Sequence, residues 1–224
     1  SSGTQQSEPC STANDTKPMK QPSPFSNQSY LWLGIFLAVL IWSAIEPKDR
    51  LTWVLEAGPA IIGLVVMART RQSFPLTPLL YFWILLHCIV LMMGAKYTYV
   101  EVPLFDWVSE IFGWERNNYD KVGHFMQGFV PALIAREILL RKQVVSTNGW
   151  RNFIVLSICL AFSAFYELIE WWAALLIGED ADAFLGTQGY MWDTQSDMGL
   201  ALLGAIGCLL FMKKVHDGQI KRLP

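Results

Sequence analysis

Residues 76–94 read LTPLLYFWILLHCIVLMMG, nineteen positions without one Asp, Glu, Lys or Arg. At 1.5 Å per residue a helix over this run is about 28 Å long, close to the roughly 30 Å hydrocarbon core of a bilayer. Five more apolar runs lie on either side of it, at about Tyr30–Ile45, Thr52–Ala68, Val122–Leu140, Asn152–Ile177 and Met198–Met212. The chain therefore reads as all-α: a polytopic membrane helix bundle of about six transmembrane helices over residues 30–213. A disordered N-terminal tail (1–29) precedes it and a short cytoplasmic tail (214–224) follows it.

Composition supports this. The chain is 53% hydrophobic and only 16% charged, against about 25% charged in ordinary soluble domains. Ten Trp suit the headgroup level, where indole rings anchor helices. The first 29 residues are rich in Ser, Thr, Pro, Asn and Gln, and bury too little to fold alone. No basic patch points to nucleic acid; the lipid bilayer is the expected partner. Cys10, Cys88, Cys159 and Cys208 have no metal-ligand spacing, and three of them fall in apolar runs.

Lys and Arg in short loops set orientation. Arg69, Arg71, Arg141, Lys142, Arg151 and the C-terminal Lys213, Lys214, Lys221 and Arg222 mark cytoplasmic segments; Lys48 and Arg50 dissent. Both termini are then cytoplasmic, and residues 95–121 and 178–194 face outward. Phe105–Trp114 has the spacing of a short amphipathic helix lying in the interface.

Three segments put ionisable groups at or inside the ends of apolar runs: Tyr119–Phe125, Tyr166–Trp172 and Trp192–Asp197. A charge at mid-bilayer depth costs roughly 2.5–3.5 kcal/mol on insertion scales, and intramembrane ionisable residues are functional by default. With the orientation above, all three segments reach one depth of the outer leaflet. Asp120, His124, Gln127 and Pro131 share one helix face, as do Ser163, Glu167, Glu170 and Ala174, and Asp193, Asp197, Ala201, Gly204 and Cys208. Small residues under the polar ones allow close helix packing in lipid.

One imidazole and several carboxylates form a mostly hard ligand set, suited to Mg²⁺, Mn²⁺ or Ca²⁺ and, through the histidine, to Zn²⁺. Asp120, His124, Glu170, Asp193 and Asp197 are the expected metal ligands. Glu167 and His124 are the expected acid–base groups, with Gln127, Gln188 and Gln195 as polar support. Clustered carboxylates need either a shared cation, shared protons or a basic neighbour such as Lys121, Lys96 or Arg116. The alternatives for these residues are structural: helix caps for Asp120, Asp193 and Asp197, a snorkelling Lys121, a carbonyl-bonded His124, and an interhelical hydrogen bond for the glutamates. His87 reads as a packing residue. Arg136 and Glu137 read as positive-inside and capping residues and stand outside the expected site.

Three function classes fit. The first is a metal-dependent hydrolase or transferase acting on a lipid or lipid-linked substrate at the outer leaflet. The second is a small ion-coupled transporter, disfavoured because six helices with polar residues confined to one leaflet give no through path. The third is a non-catalytic membrane protein with a structural ion site.

The segments Tyr119–Phe125, Arg136–Glu137, Phe165–Trp171, Leu185–Tyr190 and Asp193–Met198 resemble the YjdF-like family of bacterial inner-membrane proteins. The resemblance covers about Tyr30 to Met212. It implies a bacterial inner-membrane address and a helical fold rather than an activity. The short Asp-Lys-x-x-His-Phe stretch at Asp120–Phe125 is also similar to VanZ-like membrane proteins, which are linked to glycopeptide resistance.

Overall fold

The computed structural model describes residues 27–177 and 188–223. Among the described residues every regular element is a helix: α1 (Asn27–Ala44), α2 (Arg50–Thr70), α3 (Pro78–Tyr97), α4 (Pro103–Phe112), α5 (Tyr119–Arg141), α6 (Asn148–Ile177), α7 (Asp193–Phe211) and α8 (Lys213–Ile220). Five of them, α1, α2, α3, α6 and α7, are long and apolar enough to cross a membrane. The sixth expected span corresponds to α5, 23 residues long and enclosed by α3, α6 and α7. That enclosure lets it carry Asp120, Lys121, His124, Arg136 and Glu137, which a lipid-facing helix could not.

Local chemistry sets the helix ends. Asp49 caps α2 by accepting the Thr52 amide at 2.6 Å, and Thr77 with Pro78 opens α3, since proline suits the first helical turn. The expected amphipathic helix forms as α4, ended by Gly113 at φ 64. Its Leu104, Trp107, Ile111 and Phe112 are exposed, as befits a helix lying on lipid. α1 begins at Asn27; the rest of the expected tail, residues 1–26, lies outside the described residues. The C-terminal segment forms α8 and is not a plain tail.

In lipid, tails solvate apolar side chains as well as other helices do, so close packing holds the bundle together. The tightest seam joins α5 to α7. A Cβ on Gly128 would lie 1.7 Å from the Ala201 carbonyl oxygen, and one on Gly204 would lie 2.1 Å from the Phe125 carbonyl oxygen. Phe36, Leu80, Met92, Val130, Leu133 and Val155 fill the middle of the bundle. Exposed Leu176, Phe211 and Leu210 line the lipid-facing surface.

Candidate functional site

The starts of α5 and α7 and the last third of α6 meet at the end of the bundle that also holds the start of α2. The glycine seam presses α5 on α7, which sets Asp120 and His124 opposite Asp197. His124 Nε2 lies 3.1 Å from Asp120 Oδ1 and 3.8 Å from Asp197 Oδ2. One ligand atom from each of the three residues falls within 4.8 Å of the others, and all three residues are buried. On the far side of the ring, Nδ1 is 3.1 Å from Gln127 Oε1, so Nδ1–H donates there and Nε2 faces the two aspartates, where its N–H can donate to Asp120 Oδ1 or give way to a cation. A metal-binding histidine is usually oriented by such a bond.

Two carboxylate oxygens stay without a hydrogen bond although sealed by the fold: Asp120 Oδ2 and Glu167 Oε1. Lys121 Nζ stands 3.5 Å from the first, and His124 Nδ1 stands 4.0 Å from the second. Burying a carboxylate oxygen without a hydrogen bond is costly; the Lys121 ammonium offsets part of that cost at Asp120, and a divalent cation or a shared proton would offset more. The residues present fit a divalent ion.

Of the other expected ligands, Asp193 is held elsewhere. Its Oδ1 accepts from Lys121 Nζ at 2.8 Å and from Arg116 Nη1 at 3.0 Å. Lys121 also reaches Asp197 Oδ1 at 2.6 Å and Ser196 Oγ at 3.1 Å. Lys121 and Arg116 are thus the basic neighbours of the cluster. Lys96 is not, since its ammonium donates to the Trp42 and Ile45 carbonyls. Glu170 is half-buried one turn beyond Glu167 and interacts electrostatically with Glu167 and His124. Gln188 clamps the chain entering α5, accepting the Asn117 amide at 3.2 Å and donating to the Asn117 carbonyl at 2.8 Å. Gln195 is exposed on α7, away from the cluster. The segment 185–187 of the motif lies outside the described residues.

A residue absent from the sequence expectation joins the cluster from α2. Glu56 is 4% exposed, and its Oε2 accepts from the Tyr166 hydroxyl at 2.8 Å. Its place in an apolar run beside Gly58-Pro59, with Thr52 buried one turn before it on the same face, was the available signal.

The reading of Arg136 and Glu137 as end residues is corrected. At the other end of α5 they are buried, with His216 of α8 enclosed beside them. Glu137 accepts from the Thr77 hydroxyl at 2.7 Å, from Arg141 at 2.9 Å and from His216 Nε2 at 3.0 Å. Arg136 donates to His216 Nδ1 at 3.1 Å and to Asp217 at 2.5 Å. The reason is α8, which folds back over a pair that would otherwise face water. Buried ionisable groups therefore occupy both ends of α5, so the sequence argument that they were confined to one leaflet fails.

Comparison with known proteins agrees with this architecture. The inner membrane protein YjdF of Escherichia coli (strain K12) is 52% identical over 184 residues, which is 82% of this chain and 88% of the relative. No solved structure matches. Residues 28–218 match the family described as "Predicted membrane protein (DUF2238)", and the chain belongs to that family.

Proposed function

We propose that this integral membrane protein is a divalent-cation-dependent hydrolase or transferase acting on a lipid or lipid-linked substrate. The observation that carries the reading is the buried Asp120–His124–Asp197 group, with ligand atoms within 4.8 Å of one another and an Asp120 Oδ2 that accepts no hydrogen bond, 3.5 Å from the Lys121 ammonium. Carboxylates with one imidazole suit Mn²⁺ or Mg²⁺ first and admit Zn²⁺ or Ca²⁺. A bound ion would polarise a phosphoryl or carbonyl oxygen or acidify a water.

The roles of the side chains follow from their positions. Asp120, His124 and Asp197 hold the ion, and Gln127 keeps the imidazole turned toward it. Glu167, with a free oxygen near His124, takes the proton of the attacking group. Glu170 and Asp193 extend the acidic rim, with Asp193 balanced by Lys121 and Arg116. A crevice of about 600 Å³ runs beside Lys121, walled by Phe105, Trp114, Val122, Phe125 and Leu200. Of the polar cluster it touches Lys121 alone, and an apolar chain lying in it would bring a polar head group to that ammonium. The relative's name and the loop charges support an inner-membrane address with both termini cytoplasmic and this site outward.

The test is metal analysis of the purified full chain, with His124→Ala and Asp197→Asn alongside. Stoichiometric metal in the native chain and its loss in both variants support the reading. A metal-free chain whose melting temperature is unmoved by millimolar Mn²⁺, Mg²⁺, Ca²⁺ or Zn²⁺ sinks it. Turnover of membrane lipid extracts, followed by mass spectrometry, then separates an enzyme from a structural ion site.

One observation favours the ion-coupled transporter as a second reading. Ser163 Oγ on α6 and His87 Nε2 on α3, both far from the helix ends, are buried without a hydrogen-bond partner. Cation-driven flux in proteoliposomes that is abolished by Glu167→Gln would favour it over hydrolysis.

A further inference from the structure

Tyr99 is placed by an unusual backbone. Thr98 and Tyr99 follow α3 with φ of 56° and 60°, two successive non-glycine residues in the left-handed region. A β-branched residue such as threonine rarely adopts it. The turn folds the Tyr99 ring back into the bundle, into a slot cut by two glycines. A Cβ on Gly94 would lie 2.2 Å from the ring, and one on Gly123 would lie 3.0 Å from it. The phenol is thereby buried beside Glu56. Burial and the nearby Glu56 carboxylate push the Tyr99 phenol well above its ordinary value, so it keeps its proton.

Tyr166 approaches Glu56 from the other side, through the 2.8 Å bond from its hydroxyl. The same ring stands edge-on to the His124 imidazole, with centroids 6.5 Å apart. The backbones of α2 and α6 scarcely meet: α2 leans on α3, while α6 leans on α5 and α7. A polar bond, rather than close packing, therefore links α2 to α6. A purely structural link would be made as well by apolar side chains, because desolvating a carboxylate offsets much of what its pairing gains. The sealed, unpartnered oxygens of Asp120 and Glu167 lie in the same cluster, and both Asp120 and His124 interact electrostatically with Glu56.

We propose that Glu56, held by the Tyr166 hydroxyl beside the buried Tyr99 ring, is a positioning residue of the acidic site. It fixes the Tyr166 ring, and through that ring the plane of the His124 imidazole, while supplying the acidic wall on the α2 side for a bound divalent cation. This deepens the cation-binding reading and rests on it for one of its two readouts.

The experiment uses the full chain in detergent, labelled with ¹⁵N-histidine. The chain has three His, so the His124 signals are assigned by their loss in His124→Gln, and those of His87 and His216 report whether each variant is folded. Glu56→Gln and Tyr166→Phe, the latter keeping the ring, should shift the His124 nitrogen resonances and leave the other two in place. In the same variants Mn²⁺ affinity, followed by electron paramagnetic resonance, should fall ten- to a hundredfold, the usual cost of losing a group that orients a metal ligand. Glu56→Asp should restore part of both. His124 resonances unmoved in both folded variants overturn the proposal. If the native chain takes up no Mn²⁺, the cation reading fails by itself, and the His124 resonances alone decide the role of Glu56.

Discussion

His216 Nε2 stands 3.0 Å from Glu137 Oε2, and both side chains are fully enclosed by the fold. The pairing fixes the tautomer. An arginine can only donate, so Arg136 Nη1 at 3.1 Å makes Nδ1 the acceptor and leaves the proton on Nε2 for Glu137. One imidazole thus bridges a buried cation and a buried anion, and ties α8 to α5.

Replacing His216 with Ala should destabilise the chain by about 2–3 kcal/mol, because two buried charged groups each lose a partner. Glu137 keeps Thr77 and Arg141, which limits the damage. Thermal unfolding in detergent measures this. Removal of residues 213–224 should cost at least as much, since it also strips Asp217 from Arg136 and Gln219 from the Leu79 amide, 2.8 Å away. Equal melting temperatures for the native and shortened chains would show that α8 is a passive tail.

The helices were legible in the sequence because an apolar run of bilayer length has few other solutions. The approach of Asp120, His124, Glu167 and Asp197 was legible as well, since the polar stripes at the starts of two runs and near the end of the one between them fall on the same side of the membrane. Glu56 was not, because one carboxylate with only Thr52 a turn before it reads as the start of a helix; only the fold reveals Tyr99 and Tyr166 around it. Arg136-Glu137 misled for a different reason. A charged pair at the end of an apolar run is what a helix end at the headgroups looks like. Its burial depends on KKVHDGQI (213–220), a segment too polar to announce that it packs.

Asp49 gives a prediction in pH. The amides of Thr52, Leu51 and Arg50 hold its carboxyl below the ordinary carboxylate value. A depressed value in the folded state means stability that is present above the unfolded value of about 3.9 and lost as pH falls through the folded value. Asp49→Ala should therefore cost about 1 kcal/mol at neutral pH, a typical N-cap loss. The gap between the two chains should close in acid, below about pH 3. A gap that persists unchanged in acid would assign the loss to something other than the charged cap.

The α5–α7 seam predicts a contrast between glycines. Gly128→Ala and Gly204→Ala drive a methyl group into a facing backbone, which cannot rotate away as a side chain can. Each should cost about 1–3 kcal/mol or more. Because this seam holds Asp197 against His124, any Mn²⁺ affinity should fall with it. Gly34, Gly58 and Gly63 have open space where a Cβ would go, and Ala there should be neutral or slightly stabilising, as less backbone entropy is lost on folding. Melting temperatures of the five variants test the contrast; a Gly128→Ala chain as stable as Gly63→Ala would mean the seam is looser than described.

Gln127 separates a cation site from a simple His–Asp ion pair. Its Oε1 lies 3.1 Å from His124 Nδ1, on the opposite side of the ring from Asp120 and Asp197. If a cation binds at Nε2, the Nδ1–H···Oε1 bond orients the ring, and Gln127→Leu should weaken Mn²⁺ binding ten- to a hundredfold. Gln127→Glu keeps an acceptor oxygen at that position and should retain most of the affinity. If His124 serves instead as an imidazolium held by Asp120 at 3.1 Å, a second carboxylate at Nδ1 would strengthen the charged form. Gln127→Glu would then stabilise the chain without added metal, and neither variant would respond to Mn²⁺. Calorimetric titration with Mn²⁺ and thermal unfolding without it, on the same two variants, distinguish the two outcomes by the sign of the Gln127→Glu effect.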